Sequence, residues 1–168
     1  MEVKVDHARN SMLREVIVEH EFIGQALKRF WVRGVTDVEV LRSESDSFGY
    51  DLVMARGKIV RHIQLKALLA GGKAAKTKVG LNLLEKPSGC VIWIVVTRDL
   101  EFDHFLWFGG PPGQPLPDIR GLKVAKHTKG DSAGRKGDKP AHRLIPHGRF
   151  ERLMSLDAVL VRLFGSVE

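Results

Sequence analysis

The chain has 168 residues, 43% of them hydrophobic, a single cysteine and a formal net charge of +7. That length can bury a full core without disulfide or metal staples, so one compact domain spanning residues 1–168 is expected. One cysteine excludes an internal disulfide, and neither a leader segment nor a membrane-length apolar run is present, so a cytoplasmic protein is expected.

Residues 12–32 carry Leu13, Val16, Ile17, Ile23, Leu27, Phe30 and Trp31 at helical spacing, which predicts an amphipathic helix with that stripe toward the core. Gly34 then ends it, as a C-terminal glycine commonly does. Of the three helix glutamates, Glu21 points away from the stripe, Glu19 borders it, and Glu15 lies one turn earlier. Asp37–Arg42 alternates as a strand, and the polar loop 43–47 follows. Two apolar-rich runs, 50–55 and 59–66, flank Arg56-Gly57-Lys58, the pattern of a β-hairpin. Period two places Gln64 and Lys66 on one face of the second strand and Ile63 and Leu65 on the core face. A two-residue loop at Arg56-Gly57 sets Asp51 opposite His62, with Gln64 as its diagonal neighbour.

The segment closing at Leu81–Lys86 reads as a second helix, stopped by Pro87 and Gly89. Cys90–Val96 is continuously apolar and reads as a strand covered on both faces, which makes Cys90 a core residue. His104–Phe108 forms another strand, and 109–117 is a loop with turn residues at nearly every position. Ser155 N-caps a last helix bearing Leu156, Val159, Leu160 and Leu163, with Gly165 behind it. Gly71-Gly72-Lys73 lacks the glycine spacing and the hydroxyl residue of a phosphate loop. The histidines lack metal-finger spacing.

An acid at Asp51, an amide oxygen at Gln64 and an amine at Lys66, brought together at a sheet end, suit a divalent cation and a charged group beside it. Gly49-Tyr50-Asp51 followed by Gln64-Leu65-Lys66 resembles the motif pair of the PD-(D/E)XK nuclease superfamily, in its Gln-x-Lys variant form. No proline precedes Asp51, and Gln64 stands where Glu or Asp is usual. Over about residues 12–97 the element order helix, three strands, helix, strand matches the α-β-β-β-α-β core of restriction-endonuclease-like folds. The resemblance implies an α/β fold with a mixed sheet flanked by helices, extended at 98–168 by a basic loop and a helix. It also implies Mg²⁺ or Mn²⁺ held by Asp51, Gln64, the Leu65 carbonyl and Glu19 (Glu15 as second choice). Lys66 would orient or activate water, and the activity would be hydrolysis of nucleic-acid phosphodiesters, DNA first.

Charge points to the same partner. Between Lys123 and Arg143, seven basic residues face two acids, so this stretch holds +5 of the +7. With glycines at 130, 134 and 137 it reads as a mobile basic loop able to follow a phosphate backbone through Lys126, Lys129, Arg135, Lys136 and Lys139. Lys73, Lys76 and Lys78 form a second cluster just after the motif strand. Many relatives in such a superfamily act as homodimers, but no surface in the sequence identifies an interface. Two other classes stay open: a nuclease-like fold that binds nucleic acid without cutting it, and a small α/β module that binds proteins.

Overall fold

The computed structural model describes residues 5–168, apart from the side chain of Asp46. Among the described residues two helices, α1 (Ser11–Trp31) and α2 (Leu156–Phe164), accompany nine strands: β1 (Val38–Arg42), β2 (Leu52–Arg56), β3 (Ile59–Leu69), β4 (Lys76–Gly80), β5 (Gly89–Val96), β6 (Phe102–Gly109), β7 (Val124–Lys126), β8 (Asp138–Pro146) and β9 (Glu151–Leu153). Six strands form a mixed sheet in the order β1-β2-β3-β5-β6-β9, with β3 and β5 parallel and the remaining neighbours antiparallel. A second, three-stranded antiparallel sheet runs β4-β8-β7.

The six-stranded sheet is the middle layer. Strand β5 is buried along its whole length, and its side chains alternate between two cores. Cys90, Ile92, Ile94 and Val96 join Val18, Phe22, Phe30, Val159, Leu160 and Leu163 beneath the helices. Val91, Trp93 and Val95 meet Val79, Ile145, Ile119 and Phe150 beneath the second sheet. A strand covered on both faces can be apolar throughout, as the run 90–96 predicts. No helix among the described residues is long and apolar enough to cross a membrane.

Helix α1 turns a different face inward from the expected one. Val18, Phe22, Ala26 and Phe30, one every fourth residue, are the buried set, and Phe30 meets Phe164 of α2 edge-on at 5.8 Å. Leu13, Val16, Ile17, Leu27 and Trp31 of the predicted stripe are exposed. The helix has apolar residues on both sides, and the narrow Val-Phe-Ala-Phe row fits closely onto the sheet. Its end follows expectation: Gly34 takes φ 72° and its N–H donates to the Trp31 carbonyl.

The motif hairpin has its loop one residue later than expected, which shifts the strand pairing by two residues. Arg56 pairs with Ile59, so the two-residue loop is Gly57-Lys58 and Val53 lies opposite His62. Gly57 has φ 56°, and a primed hairpin turn asks for that sign at its first central residue, which places the glycine there. Continued by one residue, this register puts Asp51 opposite Gln64, and not opposite His62.

The second predicted helix is also corrected. Residues 76–80 are strand β4, and Leu81–Glu85 make only a short 3-10 turn. Lys76-Thr77-Lys78-Val79 alternates outward lysines with β-branched residues, and that period binds it to β8. The α-β-β-β-α-β order is therefore not reproduced, because the crossover between parallel β3 and β5 is a strand and a 3-10 turn. In the C-terminal part, β7 and β8 take the two ends of the basic stretch 123–143, leaving 127–137 as loop. That loop is shaped by Asp131, whose carboxylate accepts from the Ala133 and Arg135 amides. Helix α2 is as expected, with Ser155 Oγ accepting from the Ala158 amide and Gly165 in the left-handed region.

Candidate active-site cleft

Strand β2 begins at Leu52, while β3 continues past its level to Leu69 beside β5. This fork leaves the backbone of β3 without a strand partner on one side after Gln64. Asp51 fills the fork. Its N–H donates to the Ile63 carbonyl at 2.9 Å, its carbonyl accepts from Ser43 N–H at 2.9 Å, and its carboxylate accepts from Leu65 N–H at 2.6 Å. The side chain thus supplies the acceptor that a neighbouring strand would have supplied, and its orientation is fixed by that bond.

The approach to Asp51 is set by Gly49, with φ 78°, where a Cβ would collide with Asn82 Oδ1. Asn82 in turn donates to the Ser47 carbonyl at 2.6 Å, tying the loop before β2 to the 3-10 turn. Tyr50 stands edge-on to His62, with ring centres 5.0 Å apart, and Lys86 lies over the Tyr50 ring. Burial, and then the charge of Lys86, hold the His62 imidazole below its ordinary pKa.

The amino-terminal half of α1 roofs the fork. Glu15, Val18, Glu19, Asp51, Leu65, Lys66, Ala67 and Ile94 enclose a cavity of about 60 Å³. It opens into a wider hollow of about 240 Å³ that adds Arg42, Ser43, Ser45 and Tyr50. The smaller space has room for an ion or a few waters, since one water needs only roughly 10–15 Å³ of such volume. Glu19 is shared with Arg42, at 2.5 Å, and Arg42 also meets His20 Nε2 at 3.0 Å.

Asp51, Lys66, Leu65, Glu19 and Glu15 are therefore brought to one cleft. Gln64 does not line it. That residue is 7% exposed, and its Oε1 has no hydrogen-bond partner among the described residues. No group of three or more His, Cys, Asp or Glu side chains among the described residues is spaced to hold a metal ion. The oxygens at the cleft, from Asp51, Glu15, Glu19 and the Leu65 backbone, are nevertheless hard donors, so the residues present fit Mg²⁺ better than a soft metal.

The basic residues fall into one place that sequence spacing does not reveal. Lys76 and Lys78 on β4, Lys126 on β7 and Lys139 on β8 belong to the same three-stranded sheet. Lys73 leads into it, and Lys129, Arg135 and Lys136 lie on its 127–137 loop. Arg135 is 3.9 Å from Asp131 in an exposed pair.

A further residue is missed by sequence reasoning. Arg61 is fully buried, stacked over Trp107 at 5.2 Å. It donates to Ser88 Oγ and to the Pro111 carbonyl at 3.0 Å each, and to the Gly110 carbonyl at 3.1 Å. It anchors the 109–117 loop, and its strand alternation with Ile59 and Ile63 was the available sign that it points inward. Compared with known proteins, the chain matches no family model and no curated protein.

Proposed function

We propose that this protein is a metal-dependent nuclease, acting on DNA before RNA, with its site in the cleft between α1 and the β2/β3 fork. The observation that carries the reading is the convergence of Asp51, Lys66, Glu19 and Glu15, from a strand end, a strand and a helix, on one cavity of about 60 Å³. The Gly49-Tyr50-Asp51 and Gln64-Leu65-Lys66 sequences add the resemblance to the PD-(D/E)XK superfamily.

Asp51, Glu19 and the Leu65 carbonyl are the oxygens at this cleft that would hold Mg²⁺ or Mn²⁺, and Gln64, which does not line it, is left out of that set. When bound, such an ion supplies Lewis acidity and a lowered pKa for water. The chain's own contributions follow from the cleft. Asp51, oriented by the Leu65 amide, fixes a negative charge at the fork. Lys66 lines the same cleft, and its ammonium would orient a water and stabilise charge developing on a phosphate. Arg42 neutralises Glu19 in the absence of other partners. The lysine-bearing sheet offers backbone contacts that carry no sequence preference.

Purified protein incubated with single-stranded, duplex and branched DNA, and with RNA, tests this. Cutting is expected with Mg²⁺ or Mn²⁺ and none with chelator. Asp51→Asn keeps an acceptor for the Leu65 amide and should reduce cutting by at least about 10²-fold while leaving the fold intact, and Lys66→Ala should be similarly impaired. Gln64→Glu should retain cutting. Absence of cutting on every substrate, or full activity in Asp51→Asn, would overturn the reading. A second reading, a nuclease-like fold that binds without cutting, is favoured by Gln64, an amide where the resembled motif usually carries an acid. Salt-sensitive binding with no cutting by the wild type or by Gln64→Glu would establish it.

A further inference from the structure

The hollow beside Asp51 contains an ion pair, Arg42 with Glu19. Arg42 closes β1, and its backbone is fixed there. It pairs with Leu52 of β2, and the next amide, Ser43 N–H, donates to the Asp51 carbonyl at 2.9 Å. Only the side chain is free to change place. The guanidinium reaches to α1, where Nη2 lies 2.5 Å from Glu19 Oε1 and Nη1 lies 3.0 Å from His20 Nε2. His20 Nδ1 is in turn 2.8 Å from the Val16 carbonyl. A carbonyl only accepts and a guanidinium only donates, so the ring carries its proton on Nδ1 and offers Nε2 to Arg42.

The two partners sit at different depths. The Glu19 side chain is 18% exposed and lines the inner cavity, whereas that of Arg42 is 49% exposed and lines only the outer hollow. An ion pair this open contributes little to folding, so it can be opened at small cost.

Charge decides what each partner takes next. Around the cavity and the hollow stand three carboxylates, Glu15, Glu19 and Asp51, and two cations, Arg42 and Lys66. The excess is one negative charge, which repels a phosphodiester and attracts a cation. With a divalent ion at Glu19 and Asp51 the balance becomes one positive charge, which a single phosphodiester neutralises. Glu19 engaged by that ion no longer accepts from Arg42. A guanidinium released beside a hollow made positive suits a phosphate, whose oxygens its planar fork matches.

We infer that Arg42 is the phosphate-binding residue of this cleft. Glu19 holds it while no divalent ion is present, and releases it to a phosphodiester oxygen when the carboxylate turns to the ion. His20 keeps the guanidinium at the hollow during the exchange. Ion and phosphate then bind with positive coupling, each tightening the other by the same factor. This role rests on the proposed metal-dependent nuclease reading of the cleft.

Mn²⁺ titrated into the full chain, with the free ion read by electron paramagnetic resonance, reports the first half of the exchange without any cutting. Arg42→Ala should bind Mn²⁺ about two- to fivefold more tightly than the wild type, since no ion pair has to be opened. Loss of a repelling charge alone would also tighten binding, so the same change is made in Glu19→Gln. In the weaker site left there, Arg42→Ala should have no effect. The second half is read by fluorescence anisotropy of a labelled DNA fork, with Ca²⁺ and with chelator. Arg42→Ala should weaken binding about tenfold with Ca²⁺ and hardly at all with chelator. Unchanged Mn²⁺ affinity in Arg42→Ala, a tightening that persists in Glu19→Gln, or equal losses of DNA affinity in both conditions would overturn this role. Mn²⁺ binding that depends on Asp51 but not on Arg42 refutes the role of Arg42 alone. Mn²⁺ binding untouched by Asp51→Asn brings down the nuclease reading with it.

Discussion

Asp51, Lys66 and His62 show how much a neighbouring backbone decides about a side chain. The Leu65 amide fixes the Asp51 carboxylate in the fork, where an acid on an ordinary paired strand would instead swing toward solvent. Gln64 was legible as a polar residue near Asp51, and continuation of the observed register places it directly opposite; its burial was not legible, because the second sheet that covers it comes from residues far along the chain. His62 lies on that covered side. Its folded-state pKa is lowered by burial and by Lys86, so the unfolded chain takes up the proton first as the pH falls below about 6.5. Stability should therefore fall below about pH 6.5 and level off once the folded imidazole is protonated. Denaturation curves at pH 7.5 and 5.5 check this: His62→Gln should lose less stability between the two than the wild type does, and equal losses would remove His62 as the cause.

At the scale of elements, local signals served well where one period and one cap acted alone. Helix α2 has a serine cap, a narrow apolar face and a terminal glycine, and all three are found in place. Helix α1 was legible as a helix but not in its orientation, because apolar residues surround it and only the sheet beneath selects which row is buried. The hairpin was legible and its register was not, since Arg56-Gly57 and Gly57-Lys58 are both two-residue loops, and what separates them is that Gly57 has positive φ while Arg56 does not. The segment closing at Leu81–Lys86 reads as helical, whereas β4 just before it pairs with β8, more than sixty residues away in the chain and invisible to local reasoning. The selection in α1 can be measured. In dilute protein, Phe22→Ala should cost about 3–5 kcal/mol of unfolding free energy, and Trp31→Ala should stay within about 0.5 kcal/mol. Denaturant unfolding giving the reverse order would mean that the wrong face has been assigned to the core.

On the scale of the whole molecule, three layers divide the work. Helices and the six-stranded sheet build the cleft, and the three-stranded sheet gathers lysines that are some sixty residues apart in sequence. The basic composition of 123–143 was legible, but its union with Lys73, Lys76 and Lys78 depends on the β4–β8 pairing. If this sheet and its loop meet a phosphate backbone, neutralising Lys129, Arg135, Lys136 and Lys139 together should flatten the slope of log K against log salt by up to about 0.9 for each phosphate that is no longer neutralised. Fluorescence anisotropy titrations over a salt series read that slope, and an unchanged value would make the loop a solvated surface. The central claim, that a catalytic cation belongs beside Asp51, is tested most directly by anomalous diffraction from crystals soaked in Mn²⁺. A peak within coordination distance of the Asp51 carboxylate, absent in Asp51→Asn, is the predicted result. A well-ordered cleft with no peak at that carboxylate, in crystals where Mn²⁺ is bound elsewhere, would contradict it.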